Sequence, residues 1–398
     1  MSLSILLSRQ PIIYLLTCLF SGFSSAFIFP LLSLYLIDEL KVSPISMGFF
    51  IATLILSGVI VSQYFAKKSD QGVSRKKIIL MAQLGFISST IIISVTRDYY
   101  ISLASVIFFM SFSACNIPQV FAMGRNYADK YLAEKAVLFV TMMRAAIAVA
   151  WVIAPPLAFL INDLFGFTQA FLIAASCSTM VFFIVLTGLP NIHIEIEQQP
   201  EKPVRWQKVP GVLFFLLCMF FAFSANNMYI TSISLYLTQE LNFASKWAGY
   251  LMGIAAFIEI PIMLSAGYLA QKLGMHRLIF IACLSGLIFH VGLLVAKQPW
   301  EFMVIQIFNG IFVGINASLG MVVVQDLIKK QMGLASTLFS NSQMLSVLLG
   351  SMMIGFIAQN ISYYAIFMAS SLFCAIALTF LYLAARQIQR IKPIKENL

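Results

Sequence analysis

Long apolar stretches alternate with short polar loops along the 398 residues of the chain. Twelve of these stretches approach or exceed the length that a helix needs to cross hydrocarbon, which is about 20 residues at about 1.5 Å per residue. A helix also satisfies its own backbone hydrogen bonds there. The pattern therefore predicts twelve membrane-spanning helices. We place them at 11–37, 44–66, 78–96, 99–123, 136–161, 167–189, 211–238, 245–270, 278–296, 300–325, 336–359 and 362–385.

The two halves of the chain repeat each other. Residues 33–40 read SLYLIDEL and residues 234–241 read SLYLTQEL, 201 positions later. Each copy closes the first apolar stretch of its half, and each is followed at the same offset by a glycine, Gly48 or Gly249. Repeated halves in a very apolar chain are typical of secondary transporters, whose substrate site lies at mid-membrane between the repeats. The repeat predicts that the protein moves a solute across a bilayer.

The repeat also predicts the domain organisation. We expect an all-α membrane protein of two pseudo-symmetric six-helix bundles, residues 1–190 and 211–398, the second ending in a short cytoplasmic tail. The polar stretch 191–210 carries alternating charges and has four prolines in or beside it, which indicates a linker.

Composition excludes a water-soluble protein. Hydrophobic residues make up 61% of the chain and charged residues 10%, against about 45–50% and about 25% in soluble domains. No HExxH or GxxxxGK[ST] motif is present, and the three histidines lie far apart. We therefore predict no enzyme, no metal site and no cofactor. The six cysteines are scattered singly, which indicates free, packed thiols.

Basic residues fix the expected orientation. With both termini in the cytoplasm, the inner loops and tails hold 20 of the 25 Lys and Arg residues, and the outer loops hold four. This asymmetry follows the positive-inside rule. The net charge of +10 then needs no nucleic-acid partner, because the same loops face anionic membrane lipid.

The loops between the second and third spans of each half carry the next signal. Residues 267–277, GYLAQKLGMHR, resemble the major facilitator signature GxLaDrxGrr, and residues 65–77, FAKKSDQGVSRKK, match it more loosely. A glycine lets helices approach, and an acid beside basic residues can pair with a neighbouring helix end. Such a gating loop would hold one access state, unless these are only basic inner loops. The gating candidates are Asp70, Arg75, Gly267, Gly274 and Arg277.

Further segments resemble a narrower family. They are IPQVFA at 117–122 with RNYAD at 125–129, AWVIAPPLAF at 150–159, NMYI at 227–230, GYLMG at 249–253 with EIP at 259–261, and TLFSNS at 337–342. Together they resemble the bacterial sugar efflux transporter family of the major facilitator superfamily, with Ala154 where a glycine is expected. The resemblance implies a major facilitator fold. It also implies proton-driven export of sugars and glycosides such as lactose, glucose and thiogalactosides across the bacterial inner membrane.

Two normally charged residues lie deep within predicted spans, Arg144 in the fifth and Glu259 in the eighth. An intramembrane charge costs about 2.5–3.5 kcal/mol on insertion scales and defaults to a functional hypothesis with a named partner. Counted from the inner ends of their helices, the two differ in depth by roughly 6 Å at about 1.5 Å per residue, so each is the other's nearest candidate. Glu259 is the better proton carrier. Three alternatives remain: a permanent structural ion pair, a glutamate that is always protonated and bonded to a neighbouring hydroxyl, and a substrate contact without protonation.

Uncharged polar side chains recur in the same spans. On the fifth, Arg144, Ala148, Trp151 and Pro155 share one face, and a sugar site would combine such donors with amides and an aromatic plate. Gln306, Asn309 and Asn316 share a face of the tenth span. Hydrogen bonding between helices is the alternative for each residue. The candidate binding residues are Asn116, Gln119, Arg144, Trp151, Asn226, Asn227, Tyr229, Gln306, Asn309, Asn341 and Gln343.

Three functions compete on the sequence. Sugar/proton antiport by a monomer comes first, a multidrug exporter of the same superfamily second, and a membrane sensor that binds without transporting third. The many amides favour a neutral, hydroxylated substrate. The 36 phenylalanines leave the drug exporter as an alternative, because a drug site is rich in aromatic side chains.

Overall fold

A computed structural model describes residues 8–132, 135–190, 206–328 and 332–389, and in this part of the chain short turns connect helices, with no β-strand. The side chains of Asp70, Val137, Met332 and Gly333 lie outside the description. The α-helices are α1 (Arg9–Leu34), α2 (Pro44–Asp70), α3 (Arg75–Val95), α4 (Tyr99–Phe108), α5 (Asn116–Tyr131), α6 (Ala136–Phe165), α7 (Phe167–Gly188), α8 (Val212–Leu235), α9 (Lys246–Leu273), α10 (Met275–Val295), α11 (Pro299–Leu327), α12 (Met332–Asn360) and α13 (Tyr363–Gln389).

The twelve predicted spans are confirmed. Within the described ranges, twelve helical segments are long and apolar enough to cross a membrane. The fourth of them, Tyr99–Tyr131, continues well past the predicted end and contains both α4 and α5. Of the predicted linker 191–210, residues 191–205 lie outside the description, and Trp206–Lys208 form a 3₁₀ turn.

The chain divides into two compact units. The first contains α1 to α7 together with residues 244–253, which include the start of α9; the second contains α8, the rest of α9 and α10 to α13. Each unit has its own apolar core. In the first, Tyr14, Phe139 and Met143 are fully buried; the second buries a cluster around Phe215 and Phe312. The sequence did not anticipate that α9 begins in one unit and continues in the other.

The repeated octapeptide produces the same local structure twice. After α1 the backbone widens into a π-helical turn, Tyr35–Glu39, and after α8 it does so again at Tyr236–Glu240. The second residue after each turn has positive φ, 54° at Lys41 and 55° at Asn242. Because such a backbone is uncommon outside glycine, its occurrence at equivalent positions supports the internal repeat independently of the sequence identity.

The glutamate of each octapeptide ties the first span of its unit to the last. Glu39 forms an ion pair with Arg97, whose guanidinium also donates to Thr168 at the start of α7. Glu240 needs no bridging residue. Its carboxylate accepts directly from the backbone N–H of Tyr363 and Tyr364, which begin α13. A carboxylate at a helix N-terminus is stabilising because it meets unpaired N–H groups and the positive end of the helix dipole.

We expect Glu240→Ala to lower the free energy of unfolding by about 1 kcal/mol, because α13 loses this cap. Glu240→Gln keeps one acceptor oxygen without the charge, so its stability should lie between those of the parent chain and Glu240→Ala. Thermal unfolding of the three purified proteins in detergent measures the order. Identical midpoints for Glu240→Ala and the parent chain would show that the cap contributes nothing.

Candidate functional site

In the first unit, the fourth span is interrupted where its amides lie. The helix breaks after Phe108 into a 3₁₀ segment, Met110–Cys115, and restarts at Asn116. Pro118 explains part of the break, because it has no N–H to donate to the carbonyl of Ala114. Irregular backbone at membrane depth is found where it is buried in protein or lines a cavity, and interrupted helices are typical of transporter sites.

Asn116 and Gln119 both lie at the start of α5 and both are buried. The amide of Asn116 donates to Ser21 Oγ on α1 at 2.9 Å, and that of Gln119 lies 3.4 Å from Ser69 Oγ on α2. Their side-chain oxygens, Asn116 Oδ1 and Gln119 Oε1, have no hydrogen-bond partner among the described residues. Each amide therefore holds two helices together and keeps an unused acceptor.

The predicted stripe on the fifth span lies along α6. The Arg144 side chain is exposed, and its guanidinium carbon lies 5.8 Å from the ring centroid of Phe121 on α5, a cation–π contact. Trp151 is half-buried and Pro155 buried on the same face. Arg144 and Glu259 belong to different units, and their pairing stays a prediction.

The start of α9 packs closely on α6 within the first unit. A Cβ on Gly249 would lie 2.8 Å from the Pro155 carbonyl oxygen, and one on Gly253 would lie 2.8 Å from that of Val152. Nearby, the Asp163 carboxylate accepts from Ser245 Oγ and from the Lys246 N–H, so it caps the first turn of α9. The glycine pair that opens the eighth span therefore allows two backbones to touch.

In the second unit, three predicted residues form one network. Gln306 on α11 is fully buried, and its Oε1 accepts from Tyr229 Oη on α8 at 3.3 Å and from Asn309 Nδ2 at 3.0 Å. Its own amide donates to the Phe302 carbonyl at 3.0 Å. The network satisfies every polar atom of Gln306 but leaves Asn309 Oδ1 unpaired within the described residues.

Among the described residues, Asn316 has more side-chain polar atoms without a hydrogen-bond partner than any of the predicted binding residues. It is 1% exposed, and neither Nδ2 nor Oδ1 has a partner in the described part of the chain. It lies two turns from Asn309 on the same face of α11. Spacing in the sequence predicts that Asn316 lies on this face, but Asn316 is not among the predicted binding residues. Spacing does not show which amides lack hydrogen-bond partners. On α8, Asn226 Oδ1 is also unpaired among described residues.

The remaining predicted amides lie elsewhere. Asn227 donates to the Val347 carbonyl on α12 at 3.3 Å, so it is separate from the Tyr229 network. Asn341 and Gln343 are half-buried on α12. Among the described residues, no hydrogen bond connects these side chains to Gln306.

Glu259 lies where α9 crosses α11. Its side chain is half-buried, and its backbone carbonyl would lie 3.1 Å from a Cβ on Gly314. One turn earlier on α11, a Cβ on Gly310 would lie 2.6 Å from Ile258 Cγ2. The glycines thus bring the α11 backbone against the segment that carries Glu259, on a face adjacent to the one that bears Asn309 and Asn316.

The predicted gating residues are only partly visible. The Asp70 side chain lies outside the description; Arg75 begins α3, and Arg277 is exposed on α10. Gly274 has a φ of 84° between α9 and α10, which explains the glycine there. No described atom lies within 4 Å of a Cβ built on Gly267, so no close helix approach is found there among the described residues. A gating role for these loops stays a prediction.

Comparison with known proteins defines the family. The Major Facilitator Superfamily profile matches residues 14–299 and 284–397. Over 358 residues the chain is 36% identical to Sugar efflux transporter C of Escherichia coli K12, covering 89% of this chain and 90% of that protein. It is 35% identical to Sugar efflux transporter B of Salmonella typhimurium, with 89% and 90% covered. The chain belongs to the bacterial sugar efflux transporter family of the Major Facilitator Superfamily.

This facilitator is a multi-pass membrane transporter and not an enzyme. Its fold resembles the crystal structure of the nucleoside transporter NupG with a TM-score of 0.71, covering 94% of this chain and 99% of that one at 13% identity. That similarity concerns the fold alone. The prediction of a major facilitator fold is therefore confirmed. The expected free thiols are also found, since none of the six cysteines forms a disulfide.

In this facilitator, replacing Asn316 should not destabilise the fold. An unpaired buried amide costs about 1–3 kcal/mol, so we expect Asn316→Leu to keep or raise the thermal midpoint in detergent. Gln306→Leu is the matched comparison. This variant leaves Tyr229 Oη and Asn309 Nδ2 without their acceptor and should lower the free energy of unfolding by about 1–3 kcal/mol. If Asn316→Leu destabilises the protein as much as Gln306→Leu, the Asn316 amide is structurally paired and has no free capacity.

Proposed function

We propose that this protein exports sugars or glycosides from the bacterial cytoplasm in exchange for protons, by alternating access across the inner membrane. Lactose, glucose and thiogalactoside-like compounds are the expected substrates. Both termini are cytoplasmic, and the functional unit is a monomer. The relatives named as sugar efflux transporters support the substrate class.

One structural observation supports a sugar as the substrate class. Among the described residues of the first unit, Asn116 Oδ1 and Gln119 Oε1 are buried acceptors without a donor. In the described part of the second unit, Asn226 Oδ1, Asn309 Oδ1 and Asn316 Oδ1 also lack a donor, and Asn316 Nδ2 lacks an acceptor. Buried polar atoms are normally hydrogen-bonded. A molecule rich in O–H groups supplies the donors that these acceptors lack, and sugars are such molecules.

The same atoms argue against a multidrug exporter. A lipophilic cation without N–H or O–H groups presents an apolar surface and cannot donate hydrogen bonds to buried amide oxygens. Acceptors left unpaired by the wrong ligand would each keep their desolvation penalty. The amides therefore favour a hydroxylated ligand over a lipophilic one, although aromatic side chains are abundant in the chain.

Glu259 is the proposed proton carrier and Arg144 its proposed partner. A carboxyl group exists in a neutral and an ionised form, so binding of substrate or of Arg144 can compete with binding of a proton. Its position against the Gly310 and Gly314 face of α11 supports this role, because small shifts of α9 on α11 would move the carboxyl group with its backbone.

Counterflow into proteoliposomes tests the substrate class. We expect vesicles preloaded with unlabelled lactose or methyl thiogalactoside to take up the labelled sugar transiently above its equilibrium level. The same preparation should not transport ethidium, which represents lipophilic cations. Counterflow of ethidium without counterflow of any sugar would favour the multidrug alternative. Binding of sugar in detergent with no counterflow would favour a sensor.

A further inference from the structure

A cavity of about 360 Å³ lies in the second unit, where the chain enters α8 beside the end of α13. It is separate from the amides and from Glu259. Its polar lining comes from Gln207, Lys208 and Gln387, and its apolar lining includes Pro210, Leu213 and Phe214. The cavity therefore combines one cation and two amides with an apolar wall.

The sequence builds this cavity through a tight entry into α8. Trp206–Lys208 form a 3₁₀ turn, and Gly211 follows with a φ of 83°. The Gly211 N–H donates to Gln387 Oε1 on α13 at 2.9 Å. A Cβ on Gly211 would lie 2.6 Å from Ile388 Cγ1, so glycine is required for both the backbone angle and the contact. The entry turn is thereby fixed against α13.

The position of the cavity points to the membrane surface. Val212 begins one membrane-spanning segment and Gln389 ends another, so the cavity opens where helices leave the hydrocarbon. Leu213 is 44% exposed, as expected for a side chain that faces lipid tails. Trp206 is half-buried next to the cavity, in the interfacial position that tryptophan prefers in membrane proteins.

The chemistry of the lining matches a lipid rather than a soluble solute. Lys208 is exposed and has no ion-pair partner among the described residues. Gln387 uses its oxygen for Gly211, which leaves its amide hydrogens available as donors. A phosphate diester can accept from the ammonium and the amide, while its acyl chain continues along Leu213 and Phe214 into the bilayer.

We propose that this cavity binds the head group of an anionic phospholipid from the surrounding leaflet. Lys208 pairs with the phosphate, the amides of Gln207 and Gln387 donate to it, and Leu213 and Phe214 contact the proximal part of an acyl chain. The bound lipid occupies the junction between the first and the last span of the second unit. This inference does not depend on which substrate the protein transports.

Quenching of Trp206 fluorescence by brominated lipids tests the proposal. In the variant Trp151→Phe, Trp247→Phe, Trp300→Phe, Trp206 is the remaining tryptophan. Bromines near the glycerol backbone quench only at short range. In phosphatidylcholine vesicles, we expect brominated phosphatidylglycerol to quench at least threefold more strongly, at equal mole fraction, than brominated phosphatidylcholine. Lys208→Gln should reduce the ratio to about one.

Lys77→Gln is the matched control, because Lys77 is also exposed at a helix end but lies in the first unit; it should leave the ratio unchanged. Equal quenching by the two brominated lipids, or a ratio unaffected by Lys208→Gln, overturns the proposal. Relief of quenching by millimolar glycerol phosphate would overturn it in favour of a soluble anion. If the triple variant does not fold, native mass spectrometry of the unmodified protein and of Lys208→Gln counts the retained phosphatidylglycerol instead.

Discussion

Replacing Glu259 with Gln is expected to abolish accumulation of sugar against a gradient while leaving downhill exchange within about threefold of the parent protein. Gln is nearly isosteric and keeps hydrogen-bonding capacity, but it cannot bind and release a proton. The side chain lies on the part of α9 that contacts the Gly310 and Gly314 face of α11, and the atoms nearest to these glycines are not those of the carboxyl group. Uptake ratios in vesicles with an imposed pH gradient measure the effect.

Glu301→Gln is the matched control for this experiment. Glu301 lies at the first turn of α11, where its carboxylate accepts from the backbone of Lys297 and Gln298. The Glu301→Gln variant should accumulate sugar to the same level as the parent protein. If Glu259→Gln still accumulates sugar, Glu259 is not the proton carrier. If it loses downhill exchange as well, a permanent structural pair or a direct substrate contact explains the residue better.

The second large effect is expected at Gly310. Ala at this position would place its Cβ 2.6 Å from Ile258 Cγ2 and 2.7 Å from Ile258 Cβ. Ile258 Cβ is fixed to its backbone, so α9 has to move away from α11. Overpacking of this kind costs about 1–3 kcal/mol, and Gly310→Leu should prevent a stable fold. We expect Gly310→Ala to unfold at lower temperature and to transport at least tenfold more slowly, since it displaces the segment that carries Glu259.

Gly267→Ala gives the control on the same pair of helices. Gly267 lies within α9, and no described atom is within 4 Å of its added Cβ. Ala is the better helix former, so the variant should be more stable by about 0.5–1 kcal/mol. Thermal unfolding in detergent compares the two substitutions. Equal stability of Gly310→Ala and Gly267→Ala would show that the α9–α11 contact is loose and that the glycines have no packing role.

Much of the fold could be predicted from the sequence, because apolar length determines what can span a bilayer. The twelve spans and the equivalence of residues 33–40 and 234–241 are visible without coordinates. The matching π-helical turns and the positive φ of Lys41 and Asn242 were not predicted. They depend on backbone hydrogen bonds that hydropathy does not encode. The interruption at Met110–Cys115 had one sequence signal, Pro118, which hydropathy alone passes over.

The candidate site was predictable as a set of residue types but not as a set of contacts. Spacing placed Gln306 and Asn309 on one face, and the structure joins them to Tyr229. It could not distinguish Asn309, whose amide donates to Gln306, from Asn316, whose amide has no partner in the described part of the chain. Nor could spacing assign the start of α9 to the first unit, because that depends on how closely Gly249 and Gly253 let α9 approach α6.

Coupling of sugar movement to proton movement is the central claim, and one measurement tests it most directly. Proteoliposomes containing the protein, an internal pH indicator and an acidic interior are given labelled lactose outside. Antiport predicts that sugar accumulates inside above its external concentration while the internal pH rises faster than in vesicles given no sugar. Neither sugar-dependent change should occur after a protonophore has collapsed the gradient. Sugar equilibration that neither exceeds the external concentration nor changes the internal pH would contradict the account.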